Sequence, residues 1–272
     1  TPQTPSRHVV TPHMSKAPHT RRSFQCRVLS GLGLMLVGAH AQAAPQRLVI
    51  SAASSLSDAM VEIGQAFERA EPNRRVLFNF AASTLLLNQL ERGADIDVLA
   101  TADVDTMDRA QAERLIEPAS RTPFAANDLV LITPRTGPTP TRLQDLLQPE
   151  FKRLGIGNPA TVPAGRYAEQ VLAQEGLSDL LRPRWVRAEN VRQVLQSVAL
   201  GEVDAGFVYK TDALRELRRV NTVMTLTQHA PVVYPVAQVR SSKQPFLARQ
   251  FIAFLQSPFS QAVLKRHGFD TI

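Results

Sequence analysis

Leu48-Val49-Ile50-Ser51-Ala52-Ala53-Ser54-Ser55-Leu56-Ser57-Asp58 is the stretch on which the fold turns. It opens as a short run of β-formers and passes through small polar residues. The segment that follows carries Met60, Ile63 and Phe67 at helical spacing before Pro72. Strand, small-residue junction and helix, in that order, begin an alternating α/β chain. Outward from it the alternation continues. Val76, Phe78 and Phe80 alternate as a strand, residues 84–92 read as a helix stopped by Gly93, and Ile96, Val98 and Ala100 alternate again. A helix over 104–116 precedes the continuous apolar strand 129–132 and a loop with Pro134, Pro138 and Pro140. Further helices are expected around 143–147, 166–174 and 192–200, and further strands over 154–156, 203–208 and 232–239. Leu247, Phe251, Phe254 and Leu255 line one face of a last helix. Such alternation predicts mainly parallel sheets flanked by helices. Ligands of such sheets bind outside the carboxyl ends of the strands, where loops lead into helix N-termini.

Composition narrows the function. The chain has 272 residues, 44% of them apolar and 20% charged, which excludes a disordered, collagen-like or coiled-coil protein. Its longest apolar run, 28–39, is well short of the ~20 residues that span a bilayer. Residues 1–43 read as an export signal. Arg7, Lys16, Arg21, Arg22 and Arg27 stand without an acidic residue and lead into Val28, Leu29, Leu32, Leu34, Met35, Leu36 and Val37. Ala41-Gln42-Ala43 then offers a cleavage site, leaving a chain from Ala44. Thr20-Arg21-Arg22-Ser23-Phe24 also resembles a twin-arginine export motif. Removal of the segment leaves 26 Lys and Arg against 24 Asp and Glu, a net charge of +2, dispersed along the chain. A nucleic-acid partner, which needs a clustered basic patch, is excluded. Cys26, the single cysteine, leaves with the signal, so no disulfide and no cysteine-rich zinc site forms. Phe24 and Gln25 before it lack the small, apolar flank of a lipid-modified cysteine. Only His229 and His267 remain.

The junctions carry the chemistry. After the first strand comes Ser51-Ala52-Ala53-Ser54-Ser55, and after Phe80 comes Ala81-Ala82-Ser83-Thr84. Small residues let a ligand approach the backbone, and helix N-termini with exposed N–H groups and hydroxyls bind anions. Ordinary N-caps would explain either junction alone. Two further turns, Val162-Pro163-Ala164-Gly165 and Asn190-Val191-Arg192, have the same character. Gly155-Ile156-Gly157-Asn158-Pro159-Ala160 imitates a dinucleotide fingerprint, but Pro159 and Pro163 are expected to prevent a helix from opening there. The pairs Asp95/Asp97 and Asp103/Asp105 are expected in turn and cap roles, and both histidines at the surface.

Six ordered blocks carry a resemblance. They are Ala52-Ala53-Ser54-Ser55-Leu56; Phe80-Ala81-Ala82-Ser83-Thr84-Leu85; Gly93-Ala94-Asp95-Ile96-Asp97-Val98; Gly157-Asn158-Pro159 with Val162-Pro163-Ala164-Gly165-Arg166-Tyr167-Ala168; Ala188-Glu189-Asn190-Val191-Arg192; and Gly206-Phe207-Val208-Tyr209-Lys210-Thr211-Asp212-Ala213. Tyr234-Pro235-Val236-Ala237 follows. Together they resemble the periplasmic molybdate-binding subunit of molybdate ABC transporters, over residues 47–270. The resemblance implies a two-lobed type II periplasmic binding protein. Lobe I would comprise 44–125 and 231–272 and lobe II 126–230, with chain crossings near 124–127 and 230–233. It implies a periplasmic monomer, not an enzyme and without cofactor, that passes molybdate or tungstate to a membrane permease driven by a cytoplasmic ATPase. The oxyanion would be held without direct ligation of the metal, by hydroxyl and backbone N–H of Ser55 and Ser83, backbone N–H of Ala164 and Val191, and the phenol of Tyr209. Asn158 stands where that family often has Asp, and Ala82 where Gly or Ser is common. Arg166 either points inward, adding charge, or faces solvent on its helix; the second is expected. Two other readings stay open. One is a binding protein of the same fold for sulfate, phosphate or a small organic anion. The other is an exported serine hydrolase, which would need a base within reach of its serine.

Overall fold

The computed structural model describes residues 45–272. The expected export segment, with its expected cleavage site and Cys26, lies outside the described residues. The chain runs through β1 (Gln46–Ala53), a 3-10 turn at Ser54–Leu56, α1 (Ser57–Ala70), β2 (Arg74–Ala81), α2 (Ser83–Glu91), β3 (Val98–Ala100), α3 (Val104–Ala112) and β4 (Thr122–Asn127). It continues as β5 (Leu129–Pro134), β6 (Leu154–Gly157), α4 (Pro163–Gln174), α5 (Ser178–Leu181), β7 (Trp185–Ala188), α6 (Val191–Ala199), β8 (Ala205–Tyr209), α7 (Lys210–Arg215) and β9 (Val220–Leu226). It ends with β10 (Val232–Gln238), α8 (Pro245–Leu255) and α9 (Pro258–Arg266). One sheet has the order β2-β1-β3-β10-β4 and the other β7-β6-β8-β5-β9, each flanked by helices as a lobe of its own.

The periodicities explain the layers. Successive side chains of a strand point to opposite faces, and the first sheet buries both. Leu48 and Ile50 face α1, which lays Met60, Ile63 and Phe67 against them. The Phe67 ring meets Phe251 of α8 edge-on at 5.2 Å. Leu99, of opposite parity to Val98 and Ala100, packs instead with Leu86, Leu87 and Leu90 of α2 and Met107 of α3. Each such side chain contributes about 1.5–3 kcal/mol on burial. Asp97 accepts the Val49 N–H at 2.8 Å and the Ser242 hydroxyl at 2.6 Å, and Asp103 caps α3 by accepting the Thr106 N–H at 2.6 Å.

Mainly parallel sheets were expected, and here the structure corrects the sequence reading. Both sheets are mixed, with two parallel and two antiparallel pairings apiece. Helical crossovers join β1, β2 and β3, which run parallel. The chain leaves the first sheet along β4 and returns along β10, so these neighbours run oppositely; β5 and β9 do the same in the second sheet. Asp128 alone separates β4 from β5, and residues 227–231 separate β9 from β10. Near the first crossing Ala126 and Asp270 exchange backbone hydrogen bonds of 2.8 and 3.0 Å. Lys210 Nζ lies 2.7 Å from Asp128 and 3.2 Å from Asp270.

Smaller departures have local causes. Pro163 opens α4 rather than barring it, because proline at the first helical position gives up an N–H that would have no intrahelical partner. Residues Leu143–Leu147 form a 3-10 helix. Helix α3 stops at Ala112, and Arg114 just beyond it takes φ 59°. Strands β4, β7 and β9 and helices α5, α7 and α9 were not anticipated.

Candidate functional site

The five positions singled out in the sequence line one cavity. Ser55, Ser83, Ala164, Val191 and Tyr209 all face it, along with Ser54, Ala53, Ala82 and Ala102. All five are buried. Ser55 and Ser83 come from the first lobe, and Ala164, Val191 and Tyr209 from the second.

Each donor is present because of how its helix starts. The first turn of a helix leaves its amides without intrahelical partners. In α4, Pro163 has no N–H, and the amides of Gly165 and Arg166 reach the Val162 carbonyl at 3.0 and 3.1 Å. The Ala164 N–H is thereby left free of a backbone partner among the described residues. At α6, the Asn190 side chain caps the Gln193 N–H at 3.1 Å, which leaves the Val191 and Arg192 amides of the first turn open among the described residues. Ser83 begins α2 after Ala82, and its hydroxyl accepts the Ala102 N–H at 2.9 Å. Ser55 lies in the 3-10 turn before α1, with its hydroxyl 3.2 Å from the Tyr234 hydroxyl. Gly165 makes the α4 turn possible, because a Cβ there would collide with the Gly157 carbonyl.

Tyr209 closes the ring. Its hydroxyl is buried without a hydrogen-bond partner among the described residues, and its ring meets Tyr234 edge-on at 6.0 Å. Burial pushes its pKa well above the ordinary phenol value, so the proton stays on oxygen and is free to be donated. No charged side chain lines the cavity. Such a ring of neutral donors with the positive ends of α2, α4 and α6 suits a compact anion. Among the described residues no group of three or more His, Cys, Asp or Glu side chains is placed to hold a metal ion.

The charges sit one layer out, across the cleft. Arg192 Nη2 lies 2.8 Å from Asp58 and donates to the Ser55 carbonyl at 3.1 Å, while its Nε lies 2.7 Å from the buried Asp212. Arg215 also pairs with Asp58. Burial raises the Asp212 pKa to about 6 against the pull of Arg192, and Asp212 also accepts the Tyr209 N–H at 3.3 Å. Arg166 neither enters the cavity nor faces open solvent, which corrects the expectation for it. It reaches from α4 to Asp103 at 3.0 Å and to Thr84 and Thr106 at 3.4 Å, tying the second lobe to the first. Burial raises the Asp103 pKa and the Arg166 charge opposes this.

The decoys fall away from the site. Both ring nitrogens of His229 meet backbone carbonyls, of Leu226 and Ala230, at 2.8 and 2.7 Å. His267 pairs with Glu62 at 2.9 Å. Neither lines the cavity. The sequence reading missed Asp58, Asn127, Arg192, Asp212 and Tyr234 as partners of the site. Arg192 and Asp212 stood inside quoted blocks, but which residues they meet is fixed only by tertiary structure.

The chain is similar to known proteins in sequence and in fold. The family described as bacterial extracellular solute-binding protein matches residues 48–270. YvgL of Bacillus subtilis, a putative ABC transporter substrate-binding lipoprotein, is 35% identical over 225 residues, 82% of this chain and 85% of that protein. The molybdate-binding protein ModA of Haemophilus influenzae is 32% identical over 251 residues, 89% of this chain and 95% of its own. The structure of the substrate-binding domain of a putative molybdenum ABC transporter from Clostridium difficile is similar with a TM-score of 0.63 at 32% identity, covering 83% of this chain and 99% of that one. The resemblance drawn from the six blocks is borne out, and so is the two-lobed type II fold.

Proposed function

Because the chain belongs to the bacterial extracellular solute-binding proteins, we propose that it captures the molybdate dianion, and tungstate, in the cavity between its lobes and delivers it to an ABC permease for import. One observation carries this reading: five neutral donors from both lobes line a single small cavity that holds no charged side chain and no metal-ligating cluster. Ser55 and Ser83 donate from one side, and Ala164, Val191 and Tyr209 from the other. Hydrogen bonds to a charged group contribute roughly 1.5–3 kcal/mol each, so several together replace the hydration of a dianion. The metal is bound only as its oxyanion, and no cofactor takes part. Closure of the lobes around the anion is a shift of population toward the form described above, held by Arg192 on Asp58 and Arg166 on Asp103. The chain works in the periplasm as a monomer and meets a membrane permease with its cytoplasmic ATPase. Binding and release, without bond making, is the whole of its activity.

Calorimetric titration with molybdate, tungstate, sulfate and phosphate in separate runs tests the proposal. Tight one-to-one binding of molybdate and tungstate, with sulfate weaker, is the expected result, because a ring of donors set for long metal–oxygen bonds fits the smaller anion poorly. Binding of sulfate in preference to molybdate would keep the site and replace the ligand. Silence with all four would overturn the reading.

A further inference from the structure

Behind Ser55 runs a chain of hydrogen bonds whose direction follows from counting protons. The Asn127 side-chain oxygen accepts the Asp128 N–H at 3.0 Å, which fixes the orientation of the amide. Both hydrogens of its Nδ2 are then committed, to the Thr211 hydroxyl at 2.9 Å and the Tyr234 hydroxyl at 3.1 Å. Tyr234 therefore accepts from Asn127, and its one hydrogen has the Ser55 hydroxyl before it at 3.2 Å. Ser55 accepts in turn, and its own hydrogen is left for the cavity. Tyr234 is fully buried, so water does not compete for these positions.

We propose that Tyr234, held by Asn127, is a positioning residue that forces the Ser55 hydroxyl to donate into the cavity, so that the site favours fully deprotonated tetrahedral oxyanions over protonated ones. The proposal rests on the anion-binding reading above and deepens it. Ser83 is constrained in the same sense by the Ala102 N–H, which it accepts at 2.9 Å. The amides of Ala164 and Val191 can only donate. A ligand that carries a proton, such as hydrogenphosphate, meets donors at Ser55, Ser83 and these two amides and has only the Tyr209 and Ser54 hydroxyls to accept its O–H, and a buried polar group left without a partner costs binding. Molybdate, tungstate and sulfate carry no proton near neutral pH and meet no such penalty. Selection against phosphate thus comes from proton count, and selection against sulfate from size.

The test is a double-mutant cycle. Tyr234→Phe removes one oxygen without changing the packing, and Ser55→Ala removes the group that Tyr234 is argued to steer. Molybdate and phosphate affinities are measured by calorimetry near neutral pH for the wild type, both single variants and the double variant, with melting curves to verify folding. Tyr234→Phe is expected to weaken molybdate binding about 3- to 10-fold. Phosphate is expected to lose less, narrowing the preference. In the Ser55→Ala background the Tyr234→Phe change is expected to have no further effect on Kd. Asn127→Ala, which keeps both hydroxyls but frees Tyr234 to turn its hydrogen away, is expected to give the same Ser55-dependent loss. An equal loss with and without Ser55, or wild-type affinity in Tyr234→Phe, would overturn the inference while leaving the ligand reading intact. Absence of tetraoxyanion binding by the wild type would overturn both.

Discussion

Ser83→Ala separates binding from folding in one substitution. The hydroxyl is fully buried, accepts the Ala102 N–H at 2.9 Å and lines the cavity with its remaining hydrogen. Its removal therefore has two consequences. The anion loses one donor to a charged group, about 1.5–3 kcal/mol, which raises Kd roughly 10- to 150-fold. The free protein loses the partner of a buried amide, about 1–3 kcal/mol, which for a chain of this size lowers the melting temperature by about 2–10 °C. Titration with molybdate well below the melting temperature reads the first, and calorimetric melting without ligand reads the second. A variant with lowered melting temperature and wild-type affinity would refute the reasoning. Ser83 would then be a structural cap and not part of the binding ring.

Other expectations concern the surroundings of the ring. Asp58→Asn removes the charge that Arg192 and Arg215 share across the cleft; because these groups are partly exposed and screened, molybdate dissociation should quicken only about 2- to 5-fold with association unchanged. Stopped-flow fluorescence of Trp185 reads this, and an unchanged dissociation rate would remove the clamp from the account. Gly165→Ala places a Cβ against the Gly157 carbonyl, and the displaced α4 turn should weaken binding by about tenfold or more, measured by the same titration. Burial raises the pKa of Asp212 from 3.8 to about 6, so the folded chain holds its proton more tightly than the unfolded chain. The associated stability is fully present below about pH 4 and is lost as pH rises through about 6, a swing of about 3 kcal/mol. Asp212→Asn should flatten that part of a denaturant-measured pH profile, and an unaltered slope would exclude Asp212 as its source.

What the sequence made legible follows the range of the interactions involved. The five cavity positions are set by local events, a strand ending, a small residue and a helix beginning, and such events leave a mark within a few residues. Tyr234 and Asn127 stand 179 and 107 residues from the partners they meet in the relay to Ser55, and no local pattern announces either role. Arg166 was misjudged for the same reason, since its partner Asp103 belongs to the other lobe. Among the strands, β1, β3, β5, β6, β8 and β10 lie inside their sheets and were anticipated, because burial on both faces demands apolar residues. Strands β2, β4, β7 and β9 lie at sheet edges; β2 still shows the alternation of Val76, Phe78 and Phe80, whereas half-exposed sequences such as Trp185–Ala188 and Val220–Leu226 carry little pattern. The mixed character of the sheets was hidden because alternation of strand and helix does not reveal where the chain changes sheets.

The two crossings between the sheets have a mechanical meaning. A body held to another at one point can pivot in any direction, whereas one held at two can only swing about the line that joins them. Asp128 is one such point and residues 227–231 are the other, on neighbouring antiparallel strands. Opening is thereby reduced to a single rotational coordinate, and few alternative arrangements are surrendered when the lobes come together. A short first crossing of one residue, tied by Lys210 to Asp128 and Asp270, gives that axis a fixed place in the molecule. On the proposed closure, the donors of the two lobes are carried into register by that one rotation.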